Sequence, residues 1–411
     1  MIALGGGGPF GVVDIGTGKI ACMIVAPGKG GGAPILAGFG HQRSRGVKAG
    51  VVVDLDAAEK AVRAAIGQAE RMAGFSISEV VVSVACGRLK SLHFSAAADV
   101  DSGIVTRGDI GRLTNAACSF AARDGRMLVH LEPLSYRLGD VAGVAKPIGL
   151  AARRIDGDFH VVVADEAPLR NLLMLVERSD LTVAGLVPAP HAAALAVTTP
   201  AERYAGVTCI DIGAGTTTIA SYADGRLISV DAIPVGGQHV TFDLARALTT
   251  PLEEAERIKT LYGTLVEASS DAQEAVSYTL VRQDEQETFQ VPRAFIRQVV
   301  QARMAMVLDL VAERVTAVAA CQWLGGKVIL TGGASQTIGL ASMAERRLGR
   351  PVSVGRPNTT HGLSPSLSTP ALATVIGLVG VVASAERQDA GGKTEDARYV
   401  GRVKHWLRES F

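Results

Sequence analysis

Two stretches of this chain combine an aspartate, glycines and hydroxyl residues in a pattern that suits a polyphosphate. One is Asp14-Ile15-Gly16-Thr17-Gly18-Lys19 and the other is Asp211-Ile212-Gly213-Ala214-Gly215-Thr216-Thr217-Thr218. Each follows an apolar run, Val12-Val13 or Cys209-Ile210, and so reads as strand, tight turn, strand. Glycine lets the backbone curl and approach a ligand with no Cβ in the way. Successive N–H groups and threonine hydroxyls in such a turn form a concavity for phosphate oxygens. The leading aspartate offers a hard oxygen to Mg²⁺ or to its waters. The two aspartates lie roughly 200 residues apart, about the size of one domain. One such turn would say little, but two predict related halves closing on one nucleotide. A third glycine turn, Thr331-Gly332-Gly333-Ala334-Ser335, follows the apolar Val328-Ile329-Leu330. It is expected to open a helix whose first amides face a ligand.

The elements that must position these turns belong to an α/β protein. At 411 residues the chain exceeds one core and should divide into at least two domains. Apolar residues make up 48% and aromatics only 4%, so the interior is built from Val, Ala, Leu and Ile, which suits buried strands and packed helices. A formal charge of +1 argues against a basic surface for nucleic acid. Five scattered cysteines show no metal or disulfide spacing and read as buried thiols in a reducing compartment. The first residues lack the features of a signal peptide. The longest apolar run, 370–385, falls short of a bilayer span and reads as a buried helix, so membrane contact should be peripheral.

Along the chain, Asp54 is expected to cap a helix to about Ala73, with Val62, Ala65, Ile66 and Ala69 inward. From 86 to 160 the texture changes to short alternating strands around one helix capped by Thr106, a small inserted α+β module. A surface loop is expected at 198–205 and a polar, irregular stretch at 268–290. A long helix from 293 to about 318 is expected to turn Phe295, Val299, Met306 and Leu310 to one side. The resulting division places a first lobe at 1–85 and 161–198, the module at 86–160, and a second lobe at 199–242 and 301–361. A small subdomain takes 243–300, a closing helix 362–385, a flexible tether 386–396 and a terminal helix 397–411.

The ordered turns at Asp14, Asp211 and Thr331, with alanine-rich helices at Pro190 and Pro370, resemble the actin, sugar-kinase and heat-shock chaperone superfamily. Within it the chain is similar to the FtsA family of actin-like bacterial cell-division proteins. The matching text is the Asp14 turn, Ser44-Arg45-Gly46 before Asp54-Leu55, Pro147-Ile148-Gly149-Leu150, Pro234-Val235-Gly236-Gly237 and the C-terminal tail. The resemblance implies two ribonuclease-H-like halves with a small insert and ATP in the cleft. It implies Mg²⁺ held through water by Asp14 and Asp211, and phosphates wrapped by Gly16, Thr17, Gly18, Gly213, Gly215, Thr216 and Thr217. Gly236 and Gly237 belong to the same site. Gly332, Gly333, Ala334 and Ser335 would lie beside the adenosine, and Glu256 and Lys259 against ribose and base. Lys19 has two readings on sequence alone, a phosphate contact and a solvated side chain.

One departure bears on activity. Chaperone relatives carry a glutamate before the proline of the first linking helix, and here that place is Ala189. No carboxylate remains there to orient an attacking water, so ATP binding is expected with weak or no ATPase activity. His191 is nearby, and a packed or capping histidine is favoured over a catalytic substitute.

The tail, Arg398-Tyr399-Val400-Gly401-Arg402-Val403-Lys404-His405-Trp406-Leu407-Arg408-Glu409-Ser410-Phe411, is amphipathic at helical spacing. Val400, Val403, Trp406, Leu407 and Phe411 share a face, while Arg402, Lys404 and Arg408 supply positive charge. That pattern suits a membrane interface with anionic lipid, and a helix docked on protein has the same pattern; the resemblance favours the membrane. It further implies a filament of the protein with itself, peripheral on the cytoplasmic side of the inner membrane at the division site. The partners implied are the C-terminal peptide of FtsZ, met by Arg297 and Arg303, and later division proteins. The alternatives are an actin-like ATPase of pilus assembly, a small-molecule kinase and a chaperone ATPase. The basic tail, the unplaced catalytic aspartate and the missing glutamate weigh against them in turn.

Overall fold

The computed structural model describes residues 8–28, 35–271, 273–282, 285–319, 326–358 and 364–390. Residues 391–411, with the tail positions Val400 to Phe411 and the end of the expected tether, lie outside them.

The first lobe is built around the first glycine turn. Strands β1 (Phe10–Ile15) and β2 (Lys19–Ala26) pair antiparallel across it, with Ile15 opposite Ile20. Strand β3 (Ile35–Arg43) extends the meander, and the short β4 (Val47–Lys48) and β5 (Val51–Val52) pair with each other. Helix α1 (Leu55–Ala73) starts where the Asp54 carboxylate accepts the Ala57 N–H, and ends at left-handed Gly74. It lies so close to β3 that a Cβ at Gly40 would sit 1.8 Å from the Ala65 carbonyl oxygen. Strand β6 (Glu79–Val84) runs parallel to β1.

The module follows: β7 (Lys90–Asp99), α2 (Arg107–Ala121), β8 (Arg126–Leu138), β9 (Val141–Val144) and β10 (Arg154–Asp165). Thr106 and Asp109 cap α2 reciprocally, and Leu113 and Ala117 pack on Ile155 and Phe159 in a separate core. Residues 161–163, read above as a return to the lobe, lie in the module's own β10, with Val162 in the first lobe's core and Val161 and Val163 in the module's.

Helix α3 (Glu166–Arg178), β11 (Thr182–Pro188) and α4 (Ala189–Val197) complete the first lobe, whose sheet runs β11-β6-β1-β2-β3. The loop expected at 198–205 is instead the short α5 (Pro200–Ala205), because Thr199 and Glu202 form a capping box around Pro200.

The second half opens with β12 (Val207–Ile212), β13 (Thr217–Ala223) and β14 (Arg226–Ile233), the last two joined at left-handed Asp224 and Gly225. Helices α6 (Gln238–Leu248) and α7 (Leu252–Tyr262) follow. The stretch expected to be irregular holds a hairpin of β15 (Ala275–Arg282) and β16 (Glu285–Pro292). Its charged second strand hid the alternation that puts Tyr278 opposite Phe289.

In α8 (Arg293–Ala319) the buried side is Ile296, Val300, Met304, Val307, Val311 and Val315. The expected side was partly wrong: Val299 and Leu310 pack at its margin, whereas Phe295 and Met306 are exposed. Strand β17 (Lys327–Thr331) leads into a 3₁₀ turn at Gly333–Gln336 rather than directly into a helix, and α9 (Leu340–Leu348), β18 (Val352–Val354) and α10 (Ala373–Ala390) close the body. Helix α10 runs five residues into the expected tether. Among the described residues no helix is long and apolar enough to cross a membrane.

The second sheet runs β18-β17-β12-β13-β14-β7-β10-β8-β9. The module therefore continues the second half's sheet, although the chain enters and leaves it from the first lobe. The seam is one backbone pair, Asp231 with Lys90.

Candidate functional site

The two aspartate turns are closed by the same bond. Gly16 N–H donates to the Lys19 carbonyl at 3.0 Å, and Gly213 N–H donates to the Thr216 carbonyl at 2.9 Å. They also meet tip to tip. A Cβ at Gly215 would lie 2.5 Å from Thr17 Oγ1, and one at Gly18 would lie 2.7 Å from the Ala214 Cβ. The third turn locks beneath the second: at Gly332, φ is +85° and an added Cβ would fall 2.1 Å from Asp211 Oδ1. Only glycine fits there.

Burial and charge define what this junction will accept. Ser83 Oγ donates to Asp14 Oδ1 at 2.6 Å, and Thr374 Oγ1 donates to Asp211 Oδ2 at 3.0 Å. Each carboxylate is thus oriented with its other oxygen unpaired among the described residues. Burial pushes the Asp211 carboxyl up to about 6, and the Asp14 charge adds to that rise. Asp14 is raised too, chiefly by burial. Lys19 is the cation beside both; burial lowers its pKa while the two carboxylates oppose that shift. A Lys19 packed beside these carboxylates replaces the solvated reading. Two crowded carboxylates with free oxygens suit a hydrated divalent cation, so the residues fit Mg²⁺ held through water.

A cleft of about 990 Å³ opens beside the turns, lined by Gly18, Gly213, Gly237, Gly333, Glu256 and Lys259 among others. Lys259 Nζ lies 2.6 Å from Glu256 Oε2 and donates to Thr241 Oγ1 at 2.8 Å. These two charged groups from α7 therefore face the same space as the glycine turns. Ala334 also lines the cleft.

Several expected ligands have other duties. The Gly237 N–H donates to the Gly213 carbonyl at 2.8 Å and braces the second turn, while the Gly236 N–H donates to His239 Nδ1 at 3.2 Å, so neither presents a free amide. Thr217 Oγ1 donates to the Val235 carbonyl at 2.7 Å on a fully buried side chain. Ser335 Oγ donates to the Gly332 carbonyl at 2.7 Å and is buried. Thr17 Oγ1 accepts the Gly50 N–H at 2.9 Å and keeps its own proton to give. Ser83 and Thr374 were missed; Thr374 left a signal as a hydroxyl interrupting an apolar run.

Ala189 opens α4 as a buried methyl. His191 is packed away from the turns: the Tyr222 hydroxyl meets its Nδ1 at 2.7 Å, and burial with nearby positive charge keeps it neutral. Arg297 reaches Glu267 and Asp271, each at 3.1 Å, and Arg303 grips Asp243 through two nitrogens. Both arginines are already paired with carboxylates of the 243–300 stretch, so neither is a free docking cation.

Comparison with known proteins bears on the whole chain. Residues 208–377 match the family described as cell division protein FtsA, and residues 86–163 match the SHS2 domain inserted in FtsA. A cell division protein FtsA of Rhizobium meliloti (strain 1021) is 37% identical over 418 residues, covering 97% of this chain and 94% of the relative. Among solved structures, the PilM-PilN type IV pilus biogenesis complex aligns at TM-score 0.65 and 16% identity, covering 91% of this chain and 98% of that one. MreB5 of Spiroplasma citri bound to ADP aligns at 0.54 and 14% identity, covering 94% and 99%. The structural likenesses establish the actin-like fold.

Proposed function

This chain belongs to the FtsA family of cell-division proteins, and we propose that it binds Mg-ATP, polymerises and ties the FtsZ ring to the membrane. The observation that carries the nucleotide reading is the meeting of Thr17 and Gly215, which brings Asp14, Asp211 and Lys19 together beside a cleft holding Glu256 and Lys259. Glycine-turn amides and Lys19 take the phosphates. Asp14 and Asp211 hold Mg²⁺ through water, and the metal neutralises phosphate charge. Gly333 and Ala334 flank the adenosine, with Glu256 and Lys259 on the ribose side. Support for a nucleotide in this fold comes from MreB5, which was solved with ADP.

With a methyl at Ala189 and a neutral, packed His191, no side chain of α4 orients an attacking water. Bound ATP then acts as a clamp between the halves that favours the polymer-forming shape, with slow or undetectable turnover. The tail from Val400 to Phe411 lays its apolar side into the cytoplasmic face of the inner membrane at the division site, where anionic lipid attracts Arg402, Lys404 and Arg408. The subdomain at 243–300 with the start of α8 takes the FtsZ peptide, whose carboxylates must replace Asp243, Glu267 and Asp271 on Arg303 and Arg297. Later division proteins join on this scaffold.

Deleting residues 398–411 tests the anchor. The truncated chain should sediment no longer with anionic vesicles while its Mg-ATP affinity stays that of the full chain. Undiminished vesicle binding would sink the anchoring role, and lost nucleotide binding would show that the tail serves the body.

A further inference from the structure

The buried hydroxyls of the sheet behind Asp211 divide unequally. Thr208 and Ser221 share a bond of 3.2 Å, Thr217 donates to Val235, the Tyr222 hydroxyl meets His191, and Thr331 Oγ1 reaches the Gly355 carbonyl. Thr218 is only 3% exposed, and its Oγ1 has no hydrogen-bond partner among the described residues. An unpartnered buried hydroxyl is destabilising, so its retention calls for a partner that the chain does not supply.

Its place says what that partner is. Thr218 of β13 lies directly opposite Asp211 of β12, so their side chains share one face of the sheet. Further along that face, Cys209, Ala220 and Tyr222 belong to the core that includes Ala192, Ala193 and Ala196 of α4. The intervening Ile210, Ile212 and Ile219 belong to the other core. At the turn end of the α4 side lie Asp211, whose Oδ2 is taken by Thr374, Thr331 of β17, whose hydroxyl is taken by the Gly355 and Pro370 carbonyls, and the Thr218 hydroxyl, which has no such partner among the described residues.

We propose that Thr218 is a positioning residue for the metal-nucleotide complex: its hydroxyl hydrogen-bonds a water of the hydrated magnesium on the Asp211 side of the cleft. A hydroxyl can both donate to and accept from such a water. The inference rests on the reading of the cleft as a Mg-ATP site and adds to it a residue whose burial conceals it from the cleft lining.

The test measures ATP affinity of the full chain by calorimetry, in Mg²⁺ and in EDTA, together with the melting temperature of the nucleotide-free protein. Thr218→Val should weaken Mg-ATP binding about fivefold, leave binding in EDTA unchanged, and melt no lower than the parent. Thr218→Ser should restore the parent affinity in Mg²⁺. If the valine variant fails to fold, Thr218→Ala supplies the same comparison. Equal Mg-ATP affinity in the parent and the hydroxyl-free variant overturns this inference alone. A parent chain that binds no Mg-ATP overturns the reading of the cleft and this inference with it.

Discussion

Around Asp211 the buried titratable groups are carboxylates and a lysine, whereas along the seam between module and lobes they are histidines, of which His160 and His191 are kept neutral by burial. In the cleft, Asp14, Asp211 and Lys19 crowd together, and burial presses on all three. In the seam, the His93 ring lies tilted 5.6 Å from His160, and His130 lies 5.1 Å from His191, which ends the row on the Tyr222 hydroxyl. Ser91 joins this row to β14: His160 Nε2 lies 2.8 Å from its Oγ, which also donates to the Val230 carbonyl and accepts the Val230 N–H. One serine thus extends a backbone ladder only one residue pair long. The contrast separates two uses of buried polarity. Histidines that burial keeps neutral, His160 and His191, hold parts together, and a crowded group of carboxylates and a lysine holds a place for a ligand.

The largest test of that contrast is Asp211→Ala. On the Mg-ATP reading proposed above, removing the carboxylate takes away a group that holds the metal's waters and should lower Mg-ATP affinity by on the order of 100-fold. It also relieves the repulsion with Asp14, so the nucleotide-free variant should melt no lower than the parent. A variant that unfolds while its folded fraction binds Mg-ATP normally would place Asp211 with the seam.

Acid separates the two regions next. His160 is pushed down to about 3, by burial first and then by the charges of His130 and His93. His191 is lowered by burial and by His130, His160 and Arg203. The folded chain keeps these rings neutral while the unfolded chain protonates them below about 6.5, so their contribution is present above that pH and lost as pH falls. At pH 5 the loss from His160 alone is about 2 kcal/mol. Groups facing the row include Glu132, Tyr222, Cys209 and Arg203; Asp231 pairs with Arg314 beside the Lys90 contact. The cleft has the opposite sign. Asp211, raised to about 6, takes up a proton in the folded state before the unfolded chain does, and so favours folding as pH falls through 6. Denaturant titrations at pH 7 and pH 5 should therefore show a net loss in the parent and a larger loss in Asp211→Asn. A parent no less stable at pH 5 would mean that His160 and His191 do not stay neutral.

The cleft was legible in the sequence and the seam was not, for a physical reason. Phosphate-type turns are local, so Asp14, Gly16, Gly18, Asp211, Gly213 and Gly215 announce themselves by spacing, and strand-turn-strand follows from the apolar runs beside them. The residues that orient the aspartates are distant in sequence: Ser83 comes from β6 and Thr374 from α10, and neither has a local pattern. Thr217 and Ser335 carried the right chemistry but face the fold, because strand alternation and a 3₁₀ turn aim them inward. The histidines are scattered over about 100 residues, and only the register of β7, β8 and β10 with α4 lines them up. The β15–β16 hairpin was hidden by charge on its exposed strand, and the α8 side was misjudged because apolar residues occur around much of that helix.

Tyr222→Phe is the smallest of these changes and the cleanest separation of seam from cleft. Tyr222 and Thr218 lie on one face of β13, four residues apart, and both are buried. The tyrosine hydroxyl has a partner inside the chain, His191 Nδ1, so removing it leaves a buried ring nitrogen unpaired and should cost about 1 kcal/mol of stability. Mg-ATP affinity should not change, since nothing at that end of the strand faces the cleft. Thr218→Val reverses both readouts, holding stability and lowering affinity. A Tyr222→Phe variant with weakened Mg-ATP binding would show that the seam and the cleft communicate along β13, and that the histidine row is more than a fastening.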